Sequence, residues 1–332
     1  MQYTMADTSH LIDNLRSNKA HLSLSFEQIS EFDDYLKDQW NIRPIFMHED
    51  RWQQQLRKIV GRRAVKSFMK FQDRYAETCE VEPSEKADHE FYDRIADQPY
   101  LGFVHSDKYS FILDSGAFLW NILVQEHPFS RLLDIGCHAG YHGIWLAKTT
   151  GISVVGLDFS RPAIEVANAT AQQVGCDARF IVSNTDNIGD LEQFDLISCI
   201  NSLPRDPLEI MRRLAPIVSM LSNDGLLYCQ FYHIERWREH YDEIKKNVHE
   251  LGLSYGYSDV VGGWGGENKG YAGEIVIIFS KAQGRNLPEQ FDELIEEATS
   301  MWSSFSDYAN SGDFPKEQHC HAYFRCMRWT LQ

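Results

Sequence analysis

The sequence predicts an α/β fold built on a parallel sheet, and three observations support this. From about Ser130 onward, short apolar runs alternate with helix-length amphipathic stretches, which is the pattern of β-α-β units. Two of the first runs end in acidic residues, Asp134 and Asp158. Glycines fill the turn after the first run, where they allow a sharp bend into a helix. The chain before this region is predicted to be mostly helical.

Each element follows from its local pattern. Parallel strands are predicted for the apolar runs at 131–135, 153–157, 179–182, 194–200 and 225–231. Helices are predicted at 141–149, 160–174, 207–221 and about 234–251. Ser160 is placed to cap the second of these helices, with Pro162 in its first turn and Gly175 beyond its end. A turn at 223–225, strands at 254–261 and 274–280 and a glycine-rich loop between them complete the core.

Composition limits the kinds of protein this can be. The 332 residues include 32 Lys+Arg and 48 Asp+Glu, a net charge of −16, which argues against a nucleic-acid partner. A hydrophobic content of 43% excludes wholesale disorder. No apolar run approaches the roughly eighteen residues of a membrane span, and no signal pattern is evident, so a cytoplasmic location is predicted. Seven scattered cysteines without a C-x-x-C pair predict reduced thiols, and no metal site is expected.

Charge is unevenly distributed near the N-terminus. Residues 51–74 carry eight basic side chains against one acidic, and 75–97 carry eight acidic against two basic. The favoured interpretation is a surface helix whose basic face meets the acidic segment that follows. The alternative is a basic stripe that recruits a substrate.

The turn after the first strand carries the clearest chemical information. Asp134 precedes Gly136 and Gly140, where the backbone can approach a ligand closely and a following helix offers free N–H groups. A carboxylate here would repel a pyrophosphate, but it suits a cation such as an ammonium or a sulfonium. Asp158, at the end of the second strand, can accept hydrogen bonds from both hydroxyls of a ribose. The alternative is that both aspartates only cap helix N-termini.

These residues resemble a family. Residues 126–283 look like a class I S-adenosylmethionine-dependent methyltransferase, whose first motif, D-x-G-x-G-x-G, matches Asp134, Gly136 and Gly140. The middle glycine of the motif is replaced by His138, which predicts an ordinary backbone φ at this position. The resemblance places Asp158 on the cofactor's ribose, with Phe159 beside it. Replacing Asp158 is expected to weaken cofactor binding more than thermal stability.

Other positions carry the resemblance further along the chain. Asn184 and Thr185 fall where the family contacts adenine, and Asn201 follows strand four, where the family often positions the acceptor. Tyr109 is predicted to reach the methionine carboxylate or the ribose from a lid. The turn at 223–225 matches the family's turn before strand five.

The resemblance also implies an architecture. It is a Rossmann-like, doubly wound, seven-stranded sheet with an antiparallel last strand in residues 126–283. Residues 1–125 are expected to be a helical extension that forms a lid and acceptor pocket. Residues 284–332 are expected to pack on the core. A homodimer through the N-terminal helices is a further expectation.

The function implied is methyl transfer from S-adenosylmethionine to a small molecule, on oxygen or nitrogen, in specialised metabolism. His233, just beyond strand five, is the candidate base, and Asn201 is the second candidate catalytic residue. Three alternatives stay open: a peptide or protein methyltransferase, a protein that binds the cofactor without catalysis, and an NAD-dependent oxidoreductase. Asp134 in the turn argues against the last of these.

Overall fold

A computed structural model describes residues 57–58, 61–81, 85–96, 129–183, 188, 192–204, 206–231, 239–261 and 274–281. The helices in this part of the chain are α1 (Arg62–Val81), α2 (Glu85–Ala96), α3 (Tyr141–Thr150), α4 (Arg161–Val174), α5 (Pro207–Ser219) and α6 (Tyr241–Glu250). The strands are β1 (Arg131–Ile135), β2 (Ser153–Asp158), β3 (Ala178–Val182), β4 (Phe194–Ile200), β5 (Leu221–Phe231), β6 (Ser254–Val261) and β7 (Glu274–Ser280).

The seven strands form one sheet in the order β3-β2-β1-β4-β5-β7-β6. Strands β1 to β5 pair in parallel, and β7 pairs antiparallel with both β5 and β6. The prediction of a Rossmann-like sheet with antiparallel pairing at its end is confirmed. The order reverses direction between β1 and β4, which makes their carboxyl ends a topological switch point. In open α/β sheets this is where ligands bind.

Helices cover both faces of the sheet. On one face, apolar residues of β1, β2, β4 and β5 pack against α5 and α6, with Leu214 and Ile244 fully buried. On the other face, Ile144 of α3 and Ile164 of α4 pack around Phe180 of β3. The strands are therefore buried on both sides, which explains why their sequences are continuous apolar runs instead of alternating ones.

The described part of the N-terminal region is helical. Helices α1 and α2 pack on each other through Val65, Phe68, Phe91 and Ile95. The basic side chains of α1 are largely exposed, and within the described residues no ion pair joins α1 to α2. The contact between α1 and α2 is mainly apolar. Parts of both charged segments lie outside the described residues, so the interpretation that the basic face meets the acidic segment stays a prediction. Helix α2 also packs against α4, which brings it to the sheet.

The predicted boundaries next to β5 differ from the structure. The turn expected at 223–225 lies inside β5, where the register with β4 shifts between Phe194 and Leu196. Helix α5 ends at Ser219, two residues earlier than predicted, because Leu221 already pairs with Phe194. Pairing with the neighbouring strand decides both boundaries, and the turn propensity of the local sequence does not predict this pairing.

Candidate functional site

The switch point brings three turns together at the carboxyl edge of the sheet. The β1–α3 turn (136–140) lies next to the β2–α4 turn (158–160), and the loop after β4 (201–204) lies on its other side. The backbone N–H groups of Gly136 and Cys137 both donate to the Leu157 carbonyl oxygen, at 2.7 and 3.1 Å. These bonds fix the β1–α3 turn to the end of β2.

Asp134, at the end of β1, is buried, with 3% of its surface exposed. Ser198 of β4 lies opposite it in the strand register, and the Ser198 hydroxyl donates to Asp134 Oδ1 at 2.8 Å. Asp134 Oδ2 is buried and has no hydrogen-bond partner within the described residues. Burial raises the pKa of the Asp134 carboxyl to about 7; the Ser198 hydrogen bond opposes this rise, and the charge of Asp158 adds to it.

Asp158 is also buried, but both of its oxygens accept backbone hydrogen bonds. Oδ2 accepts from the His138 N–H and Oδ1 from the Ser160 N–H, each at 2.8 Å. This carboxylate therefore closes its own turn and ties it to the β1–α3 turn. A carboxylate has about four lone-pair sites, so these two bonds alone do not exclude ribose hydroxyls.

The helix-capping interpretation of the two aspartates is wrong. The N-cap of α3 is Gly140, which has no side chain to offer. The N-cap of α4 is Ser160, as the sequence predicts, and its hydroxyl accepts from the Ala163 N–H at 3.3 Å. Neither Asp134 nor Asp158 serves as an N-cap.

His138 departs from its predicted conformation. Its φ is +48°, in the left-handed region, so the prediction of an ordinary φ is wrong. Histidine, asparagine and aspartate are the non-glycine residues that enter this region most readily, although a residue with a Cβ is strained there. The His138 ring is buried against α2, with its centroid 5.9 Å from that of Tyr92 in an edge-to-face arrangement.

The two glycines of the turn are required by close approach. Gly136 has φ +73°, and a Cβ there would lie 2.1 Å from Ser202 Cβ in the loop after β4. Gly140 has φ +74°, and its Cβ would lie 2.7 Å from Phe180 Cζ. Both positions therefore exclude any larger residue, which agrees with the glycine pattern read from the sequence.

The loop after β4 completes the site. Asn201 also has a positive φ, +50°, and its backbone N–H donates to the Gln230 carbonyl oxygen of β5 at 3.0 Å. The neighbouring Ser202 hydroxyl is buried and has no hydrogen-bond partner within the described ranges. A buried polar group without a partner is uncommon, so Ser202 Oγ and Asp134 Oδ2 both point to a polar ligand at this edge.

Helix α2 contributes residues that sequence reasoning missed. The His89 ring lies 4.1 Å from that of Phe159, and the Tyr92 ring lies 5.8 Å from it. The local sequence gives no signal for these contacts, because α2 is more than sixty residues from Phe159 in the chain. Ser198 was also missed, but as the serine inside an apolar run it offered a signal.

The remaining predicted site residues, Tyr109, Asn184, Thr185 and His233, lie outside the described residues, so their roles stay predictions. Within the described residues, no group of three or more histidine, cysteine, aspartate or glutamate side chains could hold a metal ion. No helix in that part of the chain is long and apolar enough to cross a membrane.

Comparisons with known proteins agree with this geometry. A family model described as "Methyltransferase domain" matches residues 132–225. The Ubiquinone biosynthesis O-methyltransferase of Vibrio parahaemolyticus is 30% identical over 92 residues, which are 26% of this chain and 39% of that protein. Methyltransferase GfsG of Streptomyces halstedii is 32% identical over 94 residues, 26% of this chain and 34% of that protein. This chain therefore spans well under half the length of these curated relatives.

Among solved structures, the magnesium protoporphyrin IX methyltransferase of Synechocystis PCC 6803 with bound SAH is 15% identical, with a TM-score of 0.46. The match covers 59% of this chain and 100% of that one. The family match runs from Leu132 in β1 to Gly225 inside β5 and includes both acidic turns. The match of residues 132–225 to this family model agrees with the resemblance to class I S-adenosylmethionine-dependent methyltransferases.

Proposed function

We propose that this chain transfers a methyl group from S-adenosylmethionine to a small-molecule acceptor, on oxygen or nitrogen. The observation that carries the proposal is Asp134, a buried carboxylate at the switch point whose Oδ2 has no hydrogen-bond partner within the described residues. A cationic group supplies what this oxygen lacks, and the cofactor carries two, an ammonium and a sulfonium. NAD would instead bring a pyrophosphate to this turn, where the carboxylate repels it.

The residues present fit the cofactor. Asp134 would pair with a cationic group, Asp158 would accept from the ribose hydroxyls, and the ring of Phe159 offers an apolar surface beside the ribose. Asn184 and Thr185 are proposed to contact adenine, and Tyr109 the methionine or ribose portion. When bound, the cofactor supplies a methyl group on a positively charged sulfur, which is a good leaving group. The task left to the protein is to align the acceptor and exclude water.

The choice of a small-molecule acceptor rests on charge and on one relative. A net charge of −16 disfavours polyanionic acceptors such as RNA. The relative from Vibrio parahaemolyticus is named for O-methylation in ubiquinone biosynthesis, a small-molecule pathway. Specialised metabolism, a cytoplasmic location and a homodimer through the N-terminal helices stay predictions.

Two residues are proposed for the chemical step. Strand β5 ends at Phe231 on the ligand-binding edge, and His233 follows two residues later. We place His233 as the base that takes a proton from a hydroxyl or ammonium acceptor, because a histidine titrates near neutral pH. Asn201 is placed to hold the acceptor, since its loop borders both β1 and β5.

The role of His233 has a direct kinetic test. His233→Ala should lower kcat by roughly 10²–10⁴ while the affinity for S-adenosylhomocysteine stays within a few-fold. The matched control is His249→Ala, on the exposed side of α6. Near-normal turnover of His233→Ala would remove this histidine from the mechanism.

Calorimetric titration tests the proposed cofactor directly. The full chain is titrated with S-adenosylmethionine, S-adenosylhomocysteine and NAD in separate runs. We expect saturable binding of the first two and none of NAD. Heat with NAD and none with S-adenosylhomocysteine would overturn the proposal and favour the oxidoreductase alternative.

A further inference from the structure

His138 stands where the family motif has a glycine, and its backbone is strained. Its φ of +48° is a conformation that glycine adopts freely and a residue with a Cβ does not. Its neighbours Gly136 and Gly140 hold similar φ values of +73° and +74° and are both glycine. The strain of a side chain at the middle position is therefore expected to be offset by a contact that this side chain makes.

The backbone of His138 makes no contact that a glycine could not make. Its N–H donates to Asp158 Oδ2 at 2.8 Å, and this bond joins the two acidic turns. A glycine at this position would donate the same bond without strain. What histidine adds is the imidazole ring.

The ring is directed at helix α2. It is buried, with His138 only 8% exposed, and it meets the Tyr92 ring edge to face at 63°. Its Nε2 also lies 3.5 Å from the Tyr92 carbonyl oxygen. One residue therefore contacts the β2–α4 turn through its N–H and α2 through its ring.

Helix α2 touches the second acidic turn as well. Tyr92 packs against Phe159, with the ring centroids 5.8 Å apart, and His89 packs against the same ring at 4.1 Å. Phe159 directly follows Asp158, the proposed ribose ligand. Helix α2 thus lies across both turns that the proposed function assigns to the cofactor.

We propose that His138 is a positioning residue that fastens α2 to the cofactor turn and so slows release of the bound cofactor. The retention role rests on the proposed function, whereas the fastening of α2 does not. An edge-to-face aromatic pair is worth enough to change an equilibrium by roughly two- to tenfold. Loss of the ring should therefore change the opening of α2 by about that factor.

The test uses the full chain and two measurements on each variant. Hydrogen exchange of the α2 amides, without cofactor, reports how firmly the helix is held. The dissociation rate of S-adenosylhomocysteine reports cofactor retention. His138→Gly removes the ring and the strain together, and His138→Asn removes the ring but keeps a residue that tolerates positive φ.

We expect both variants to exchange the α2 amides and release S-adenosylhomocysteine roughly two- to tenfold faster than the unmodified chain. The melting temperature of His138→Gly should stay within a few degrees, because relief of strain offsets the lost packing. Tyr92→Leu should give at least as large an increase in both rates, because the Tyr92 ring also packs against Phe159. The double variant His138→Gly/Tyr92→Leu should raise both rates by less than the product of the two single effects, since each single variant already removes the contact between the His138 and Tyr92 rings. His249→Ala is the control for removing a histidine elsewhere.

The outcomes separate this inference from the proposed function. Unchanged α2 exchange in His138→Gly would overturn the fastening of α2. Faster exchange with an unchanged dissociation rate would overturn the retention role. Failure of the unmodified chain to bind S-adenosylhomocysteine would overturn the proposed function and the retention role with it, while the exchange measurement would still decide the fastening.

Discussion

The two acidic turns of the site hold their carboxylates in opposite ways. Asp158 accepts two backbone N–H groups, one of them from Ser160, two residues away. Asp134 accepts a side-chain hydroxyl from Ser198, 64 residues away, and its other oxygen has no partner within the described residues. The β2–α4 turn is thus partly closed by its own chain, whereas the β1–α3 turn depends on the neighbouring strand β4.

This difference gives the two aspartates, which occupy equivalent positions at strand ends, different roles. Backbone N–H groups stabilise the charge of Asp158, so this residue holds the turns together. The charge of Asp134 is instead destabilised by burial, which raises the pKa of this carboxyl to about 7. A cationic ligand would stabilise the buried charge of Asp134. Of the two carboxylates, Asp134 is therefore the one whose ionisation should depend more on the ligand. Four substitutions test this contrast.

The largest effect is expected at Gly136. Gly136→Ala would place a Cβ 2.1 Å from Ser202 Cβ, in addition to the strain of φ +73°. We expect a loss of roughly 3–5 kcal/mol in the free energy of unfolding, measured by urea titration. The matched control is Gly175→Ala, where φ is +68° and nothing lies within 4 Å of the added Cβ. It should lose only about 1–2 kcal/mol; equal losses would contradict the close contact between the β1–α3 turn and the loop after β4.

Asp158→Ala should come next. It leaves the N–H groups of His138 and Ser160 without their charged acceptor, which predicts a loss of roughly 2–4 kcal/mol in unfolding free energy. These bonds change the sequence-based expectation that the loss would fall mainly on cofactor binding. Asp177→Ala, at an exposed aspartate before β3, serves as the control. A normal melting temperature for cofactor-free Asp158→Ala would show that the two bonds contribute little.

Asp134 should make cofactor binding depend on pH. A cation binds the ionised carboxylate, so affinity for S-adenosylhomocysteine should rise with pH and level off above a pKa of about 7. The expected difference is about tenfold between pH 6 and pH 8. Asp134→Asn should flatten this profile, whereas Asp177→Asn should not. Calorimetry at several pH values measures it, and an unchanged profile in Asp134→Asn would assign the dependence to another group.

The same carboxyl affects the stability of the cofactor-free chain. Because its pKa is raised above the unfolded value of 3.8, the unfolded chain loses its proton first as pH rises. The stabilisation that the protonated Asp134 carboxyl gives to the folded chain is therefore full below about pH 4 and declines until about pH 7. Asp134→Asn should melt near the unmodified chain at pH 4 and above it at pH 8.

Ser198→Ala should have the smallest effect. The Ser198 hydroxyl opposes the rise in the pKa of Asp134, so its removal should move the binding midpoint to higher pH. Affinity at pH 7 should then fall by a few-fold and recover toward pH 9. Ser219→Ala, at an exposed serine in α5, is the control. A midpoint that does not move would mean that Ser198 has no influence on the ionisation of Asp134.

Much of the fold and part of the site could be predicted from the sequence because the relevant forces are local. Apolar runs of strand length and amphipathic stretches of helix length record which residues are buried. The Ser160 cap and the glycines at 136 and 140 record backbone geometry within a few residues. Asp134 and Asp158 follow directly from their position at strand ends, because the carboxyl ends of parallel strands meet at one edge.

The contacts that distinguish this site were decided only by the tertiary structure. The pairing of Asp134 with Ser198 needs the β1–β4 register, and the φ of His138 is set by bonds to Asp158 and packing on Tyr92. The position of α2 over Phe159 joins segments about seventy residues apart. The sequence by itself therefore determined which residues reach the edge of the sheet. The tertiary structure decides which of these residues are paired, strained or left without a partner. The reason is that these properties depend on contacts with residues distant in the chain, which the local sequence pattern does not encode.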